Sequence, residues 1–321
     1  MTDNDAYRTL ILTPFTLPEL DARAFAQACK AENTLRAYRA AWREFAQFCE
    51  GRGATALPAS PASVVAFLTW LAGHVRPATM QVKLAAVSFA HRLAHQGDPT
   101  DDENVRMVMA GIRRKLGSAP EKKAPATFGD VALMVAALPD DLGGKRDRAL
   151  LLVGFAGAFR RSELVGLDVG DVRFNRATMT VTVRRSKTDQ EGAGMRKVIP
   201  CLGGRLDPVA ALREWLEAAG INSGPLFRAV SRWGMVGRRR LDGRTVARVV
   251  KDAAEAAGLE PRQFAGHSLR SGFITSAALA GAAEWQIQEV SGHRSERVLR
   301  GYIRDAGLGG QEAIRAAFGL A

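Results

Sequence analysis

Residues 266–272 have the sequence Gly266-His267-Ser268-Leu269-Arg270-Ser271-Gly272. His267 and Arg270 are three positions apart, so on a helix both side chains lie on one face. An imidazole beside a guanidinium suits the handling of a phosphate group, because one moves a proton and the other offers paired donors. By itself the pattern is common, and a surface histidine is its more frequent explanation.

Four further segments carry residues that suit the same chemistry. Arg160 and Glu163 lie three apart, so on a helix they would share a face, and Lys187 lies in the turn of a predicted hairpin. His293 follows downstream, and Tyr302 comes nine residues after it. Each has an ordinary alternative, namely a structural ion pair, a solvated lysine, a surface histidine or a packed aromatic ring. The chain has only three tyrosines and five histidines, so their presence in these segments favours a functional site.

Residues 1–116 are predicted to form a small helical bundle. Apolar residues in 35–49 recur at three- and four-residue spacing, which places one apolar stripe on a helix beginning near Thr34. Pro61 and Pro77 suit the first turns of two further helices. A fourth helix with its own apolar face is predicted before the bundle ends.

A linker and a mixed second domain are predicted after the bundle. Residues 117–126 combine two prolines with small and charged residues, as exposed linkers do. In the second domain, 127–321, the apolar run 149–158 predicts a buried helix. The alternating stretch 177–183 predicts a half-buried strand that returns antiparallel at 197–199. Helices dominate again after this hairpin, so the predicted fold is mainly α with a small antiparallel β-sheet in the C-terminal domain.

Both ends of the second domain carry helix signals. Thr127 is followed three residues later by Asp130, which predicts a capping box. Beyond Gly309-Gly310, Ile314 and Phe318 fall on one apolar face of a predicted short tail helix. A helix this short needs a surface to cover that face. Because the Gly309-Gly310 joint is hinge-like, we expect the tail helix to dock on a neighbouring protomer, the alternative being its own domain.

The composition favours a soluble protein with a polyanionic partner. Hydrophobic residues make up 47% of the 321 residues, enough for two cores. No apolar run reaches the roughly 18 residues of a membrane span, and the start lacks the basic region of a signal peptide. The net charge of +12 favours nucleic acid, although arginine-rich proteins from GC-rich genomes have a similar balance. We expect a cytoplasmic, nucleoid-associated protein without a membrane partner.

Neither a metal nor an organic cofactor is expected. Cys29, Cys49 and Cys201 are scattered and lack C-x-x-C spacing, which argues against a zinc site and against a disulfide. The chain contains no G-x-x-x-x-G-K-[ST] phosphate loop and no H-E-x-x-H motif. We therefore expect the protein to act without a metal ion or a nucleotide.

Taken in order, the five segments resemble the active-site set of the tyrosine recombinases, the phage integrase family. The matching residues are Arg160, Lys187, His267, Arg270, His293 and Tyr302. The resemblance covers nearly the whole chain, since residues 1–116 are similar to the family's helical, SAM-like core-binding domain. It implies that residues 127–321 have the family's mixed α+β catalytic fold and that DNA is the substrate.

The resemblance and the chemistry of phosphoryl transfer together imply a role for each residue. Tyr302 would be the nucleophile and would form a 3′-phosphotyrosyl bond. Arg160 and Arg270 would hold the non-bridging oxygens, where negative charge collects. His293 would donate a further hydrogen bond, and Glu163 would orient its neighbours.

Two proton transfers complete the implied reaction. The Tyr302 hydroxyl has a reference pKa of ~10, so its proton must be taken up, and His267 is the candidate acceptor. The departing 5′ oxygen must gain a proton. Lys187, on the tip of the predicted hairpin, is the candidate general acid.

The resemblance also implies that the two domains clamp a DNA duplex. Two helices of the first domain and one of the second would face the major groove, where arginine suits the O6 and N7 of guanine. Other arginines would touch phosphates. Each candidate has a solvated surface charge as its alternative. The groove candidates are Thr34, Arg36, Thr79, Lys83 and Arg244, and the phosphate candidates are Arg113, Arg114, Arg238, Arg239 and Arg240.

The implied assembly is a homo-tetramer on double-stranded DNA, formed from solution monomers on two sites with inverted repeats and exchanging strands through a Holliday junction. Few residues precede the first predicted helix, so a simple two-domain recombinase is expected. One alternative is a type IB topoisomerase-like enzyme that acts as a monomer on many sequences. Another is a DNA-binding regulator with an inactive site. The target sequence, the half-site spacing and the biological task stay open.

Overall fold

The computed structural model describes residues 30–117, 123–184, 194–293 and 301–302. The chain divides into two units between Glu121 and Lys122. This division falls inside residues 117–126, which the sequence analysis interprets as a linker.

The first unit is helical. Its elements are α1 Glu32–Glu50, α2 Pro61–Leu71, α3 Pro77–Leu93, a 3-10 turn Pro99–Asp101 and α4 Glu103–Leu116. Local signals explain the helix starts, since the Ser60 hydroxyl accepts from the Ser63 amide at 3.2 Å and Pro61 takes the first position. Aromatic rings fill the core, where Phe45 and Phe67 pack edge to face with centroids 5.1 Å apart.

The second unit combines helices with two small antiparallel sheets. Its helices are α5 Phe128–Ala136, α6 Leu142–Ala156, α7 Arg161–Gly166, α8 Pro208–Ala218, α9 Gly243–Ala256, α10 Ser268–Leu279 and α11 Glu284–Ser291. Its strands are β1 Val172–Phe174, β2 Thr178–Val183, β3 Met195–Pro200, β4 Arg228–Val230 and β5 Val236–Arg240. The prediction of a mainly α fold with a small antiparallel sheet is confirmed.

The larger sheet has the order β1-β2-β3. Met179, Val181 and Val183 point into the core from β2, as their alternation predicts. In the register of β2 and β3, Val181 lies opposite Lys197. The predicted turn of this hairpin, including Lys187, lies outside the described residues.

The second hairpin, β4-β5, was missed by the sequence analysis, which predicted a mainly helical chain after β3. Its second strand ends in Arg238, Arg239 and Arg240, all exposed. Three consecutive charges have no apolar alternation, so the pattern that marks a half-buried strand is absent there.

Helix α10 is fixed by close contact with the chain that enters the second unit. A β-carbon at Gly272 would lie 1.6 Å from the carbonyl oxygen of Ala126, so only glycine fits at that position. The Ala126 amide donates to the carbonyl of Ser268 at 2.9 Å, and the Phe128 amide donates to the hydroxyl of Ser276 at 2.9 Å. Because α10 begins one residue after His267 and includes Arg270, these contacts fix the positions of both residues.

Among the described cysteines, Cys49 is buried and Cys201 is exposed, and neither is joined in a disulfide. Over the described part of the chain, no group of three or more histidine, cysteine, aspartate or glutamate side chains has a metal-binding arrangement. Among the same residues, no helix combines the length and the apolar character that crossing a membrane requires.

Candidate active site

A tight turn between α6 and α7 presents Arg160. Phe159 donates its amide to the carbonyl of Gly154 at 3.0 Å, which folds the chain back on the end of α6. Ala158 has φ +45°, a conformation that costs free energy for a residue with a side chain. A β-carbon at Gly157 would lie 2.1 Å from Cε2 of Phe159, so the Phe159 ring occupies the space that any larger side chain at position 157 would need.

Glu163 holds Arg160 by two hydrogen bonds. Its Oε2 accepts from the Arg160 backbone amide at 2.9 Å, and its Oε1 accepts from Nη1 at 2.6 Å. The Glu163 side chain is 3% exposed, so the ion pair is shielded from solvent. The expectation that both lie on one helical face needs correction, because Arg160 is the residue before α7, with extended backbone. The pairing is therefore a capping interaction.

Arg270 is fully buried at 1% exposure. Its Nη1 donates to the carbonyl of Ala158 at 2.7 Å. Burial and the nearby charge of Arg160 lower the pKa of Arg270 to about 10, so the guanidinium is still charged at neutral pH. Its expected partner on α10 is also placed differently, because His267 precedes α10 as its N-cap residue.

His293 follows α11 through Gly292, which has φ +66°. Its Nε2 lies 3.2 Å from Nη2 of Arg270 and its Nδ1 lies 2.8 Å from the hydroxyl of Ser291. Nη2 of Arg270 also lies 3.4 Å from Nδ1 of His293, and because a guanidinium only donates, the ring nitrogen that accepts from it carries no proton. Burial, followed by the charge of Arg270, lowers the pKa of His293 to about 4. The ring is therefore neutral at neutral pH.

Tyr302 lies beside both histidines. Its hydroxyl is 3.3 Å from Nε2 of His267, and its ring centroid is 5.8 Å from that of His293. The ring packs on the small apolar cluster of Ile274 and Ile287. The phenol therefore lies within hydrogen-bonding reach of a base, and its charge interacts with that of Arg270.

The structure thus brings together most of the residues that the five segments predict. Those that meet are Arg160, Glu163, His267, Arg270, His293 and Tyr302. Lys187 lies outside the described residues, and its role stays a prediction.

One residue of this cluster, Lys197 on β3, was not predicted from the sequence. Its side chain is buried, and its charge interacts with Glu163, Arg270 and Arg160. A signal was present, because Lys197 occupies an inward position of an alternating strand, two residues before the buried Ile199. A lysine at such a position needs a specific partner.

Most of the DNA-contact candidates lie at the surface, and two of the candidates bind other residues of the protein. Lys83 is buried and paired with Glu44, so the expectation that it faces a groove needs correction. Arg240 donates to Asp168 at 2.8 Å and to the carbonyl of Val165 at 2.7 Å, which ties β5 to the end of α7. Thr34 is half-buried, and the exposed candidates are Arg36, Thr79, Arg113, Arg114, Arg238, Arg239 and Arg244.

Residues 127–307 match the family model described as the phage integrase family. This chain belongs to that family. A similar relative is the integrase/recombinase xerD homolog of Selenomonas ruminantium, 35% identical over 304 residues, which cover 93% of this chain and 89% of the relative. The recombinase cre of Escherichia phage P1 is 25% identical over 295 residues, covering 86% and 84%. The protein is therefore a tyrosine recombinase, an enzyme that cleaves and rejoins DNA.

Solved structures show the same fold. One is XerH site-specific recombinase bound to palindromic difH substrate in a post-cleavage complex, with TM-score 0.66 and 16% identity, covering 93% of this chain and 83% of that one. Another is a lambda integrase dimer bound to a COC′ core site, with TM-score 0.57 and 18% identity, covering 94% and 75%. At these identities the likeness concerns the fold of the tyrosine recombinases.

Proposed function

We propose that this tyrosine recombinase joins two specific DNA sites through a 3′-phosphotyrosyl intermediate at Tyr302 and a Holliday junction. Four protomers would act on two sites with inverted repeats. The observation that carries the proposal is the placement of the Tyr302 hydroxyl, 3.3 Å from His267 and beside the buried guanidinium of Arg270. A phenol needs both a proton acceptor and a cationic surface to attack a phosphodiester.

In the cleavage step the Tyr302 oxygen bonds to phosphorus while the bond from phosphorus to the 5′ oxygen breaks. The phenolic proton passes to His267, and the 5′ oxygen takes a proton from Lys187. Rejoining reverses these transfers, with the 5′ hydroxyl of a second strand as the attacking group. The phosphotyrosine retains the energy of the broken bond, so the proposed reaction uses no nucleotide.

Arg160 and Arg270 would bind the non-bridging oxygens as the negative charge on them grows. Both are fixed in advance, Arg160 by Glu163 and Arg270 by the carbonyl of Ala158. Fixed donors stabilise the transition state without the cost of reorganising. His293 would donate its hydrogen bond from the ring nitrogen that does not accept from Arg270.

The DNA surface proposed here consists of exposed arginines on both units. Arg244 lies in the first turn of α9, where Asp242 caps the helix through the Arg244 amide at 2.6 Å. A side chain at a helix start can reach base edges in a major groove. Arg113 and Arg114 at the end of α4, with Arg238 and Arg239 on β5, are proposed to touch phosphates.

Covalent capture tests the proposal and locates the target sequence in the same experiment. The protein is mixed with sheared DNA of its own genome, denatured with detergent, and the protein-bound ends are sequenced. The ends should map to a few places, each flanked by inverted repeats, with protein on the 3′ side of the break. Tyr302→Phe, which retains the ring, should bind DNA and capture no ends.

The same capture distinguishes the alternatives. Ends scattered over many unrelated sequences would indicate a topoisomerase-like enzyme and contradict site-specific recombination. Capture of covalent ends by Tyr302→Phe would show that another residue is the nucleophile.

A further inference from the structure

Lys197 is a buried cation that the reaction described above does not use. Its residue is 4% exposed, although it lies on β3 between the exposed Arg196 and Val198. Placing an ammonium group away from water is costly unless it finds charged or polar partners. The contacts of this side chain therefore indicate its role.

The ammonium of Lys197 donates to the carbonyl oxygen of Val290 in the last turn of α11. The final carbonyls of a helix have no partner within the helix, and the negative end of its dipole favours a cation there. His293 follows only three residues later. Lys197 thus connects β3 of the larger sheet to the turn that carries His293.

A second residue of β3 supports the same turn. A β-carbon at Gly292 would lie 2.3 Å from the Cε atom of Met195, so the Met195 side chain packs directly against the turn. The Gln288 side chain, on α11, donates to the His293 carbonyl at 2.7 Å. The position of His293 therefore depends on β3 as well as on its own helix.

Lys197 also adds charge to the site. Its charge interacts with those of Glu163, Arg270 and Arg160, and its Nζ lies 5.2 Å from the centroid of the Phe159 ring. Burial lowers the pKa of Lys197 to about 8, with Arg270 and Arg160 acting in the same direction and Glu163 opposing them. Its ammonium is held by the Val290 carbonyl, and from there its positive charge acts on the two arginines.

We propose that Lys197 is a positioning residue for strand cleavage, which holds the turn before His293 and adds a positive charge that acts on Arg160 and Arg270. It acts through these groups and does not touch the substrate. The inference rests on the proposed function, because it assumes that Arg160, Arg270 and His293 bind the scissile phosphate.

The first test compares Lys197→Met, Lys197→Arg and Arg196→Met, using a nicked duplex that carries a captured target sequence. Lys197→Met keeps the length of the side chain and removes charge and donor. Its single-turnover cleavage rate should fall by about 100-fold, which is the size of effect that a small misplacement of reacting groups produces. Lys197→Arg should recover part of that rate. Arg196→Met, which removes a charge from the exposed face of the same strand, should cleave like the wild type.

The second test has a readout that a merely structural lysine would not move. The charged and titratable groups around His293 are Arg160, Arg270, His267, Tyr302 and Lys197. The positive charge of Lys197 helps to keep the His293 ring neutral, so Lys197→Met should raise the pKa of His293. Titration of the five histidines by NMR measures this shift, with His293→Asn to assign the resonance.

If Lys197→Met does not fold, the pH dependence of cleavage is compared between the wild type and Lys197→Arg. Cleavage by the wild type should decline as the pH rises through about 8, where Lys197 loses its charge. In Lys197→Arg this decline should be absent, because arginine stays charged.

The outcomes separate this inference from the proposed function. A folded Lys197→Met with wild-type cleavage and an unshifted His293 overturns the role of Lys197 and leaves the proposed function intact. Identical alkaline limbs for wild type and Lys197→Arg overturn it as well. If the wild type itself forms no covalent complex with any DNA, the proposed function fails first.

Discussion

Arg270 donates a hydrogen bond of 2.7 Å to the carbonyl of Ala158, a residue 112 positions earlier whose φ is +45°. Such a backbone conformation persists when surrounding contacts compensate for its cost. Arg160 follows Ala158 by two residues, so one turn fixes both guanidinium groups of the site. The geometry that binds phosphate is therefore set by the α6–α7 turn and by the first turn of α10.

Gly157→Ala should disturb this turn. The new β-carbon would lie 2.1 Å from Cε2 of Phe159, so the ring or the backbone must move. We expect a loss of about 1–3 kcal/mol in the free energy of unfolding. Single-turnover cleavage should fall by about 10- to 100-fold, with little change in DNA affinity. Gly166→Ala is the matched control, because a β-carbon there meets no atom within 4 Å. Wild-type cleavage by Gly157→Ala would show that the turn tolerates displacement.

Glu163→Gln should weaken the hold on Arg160. Glutamine keeps the shape but removes the charge that Arg160 pairs with, in a site where the carboxylate is 3% exposed. We expect urea unfolding to show a loss of about 3 kcal/mol, with slower cleavage. Glu103→Gln is the control, since its pair with Arg106 is 3.7 Å long and mostly exposed and should contribute almost nothing. Equal stability losses in the two variants would contradict this account.

Lys187→Ala should slow cleavage strongly, because the leaving 5′ oxygen would lack its proposed proton donor. A substrate with sulfur at the 5′ bridging position has a better leaving group and should recover much of the rate. The measurement is single-turnover cleavage of the two substrates by wild type and variant. Without recovery on the sulfur substrate, Lys187 must serve another step.

His293 should make the enzyme less stable in mild acid. Its folded pKa is about 4 against an ordinary value of 6.5, so the unfolded chain takes up a proton first. The stabilising contribution is complete above about pH 6.5 and is lost as the pH falls towards 4. Solvent screening limits it to the order of 1 kcal/mol. Between pH 7.5 and pH 5, the free energy of unfolding in urea should fall more in the wild type than in His293→Asn. Equal losses in the two proteins would contradict this role of His293.

The C-terminal tail, which lies outside the described residues, should couple neighbouring protomers. Its predicted apolar face includes Ile314 and Phe318, and burying each could contribute roughly 1.5–3 kcal/mol. Deletion of 309–321 should leave binding to one half-site intact and abolish cooperative filling of a paired site. Sizing of the protein–DNA complexes decides this. Unchanged assembly of four truncated protomers on two sites would rule the coupling out.

Local signals predicted the helix starts well. The capping box expected at Thr127 and Asp130 is present, with the Thr127 amide donating to Asp130 at 2.8 Å. Pro61 and Pro77 begin helices as their fixed φ favours. These features depend on residues only a few positions apart, which is the range that spacing in a sequence describes.

Contacts between distant segments could not be predicted from the spacing of residues. Lys83 was expected at a DNA groove, but its partner Glu44 lies 39 positions away on another helix. Lys197 was assigned only to a strand, because its partner Val290 lies 93 positions away. A charge has the same place in a sequence pattern whether it meets solvent or a buried partner, and tertiary packing decides between the two.

The hydrogen bonds between residues 123–128 and the region of α10 also limit where the chain can be lengthened. Lys123 donates to the carbonyl of Arg262 at 3.1 Å, and the Ala124 amide donates to that of Gln263 at 2.8 Å. Together with the bonds from Ala126 to Ser268 and from Phe128 to Ser276, these two bonds fix residues 123–128 in one register against residues 262–276. A residue inserted within 123–128 would shift this register against the helix that carries Arg270. An engineered spacer or fused domain therefore belongs before Lys123.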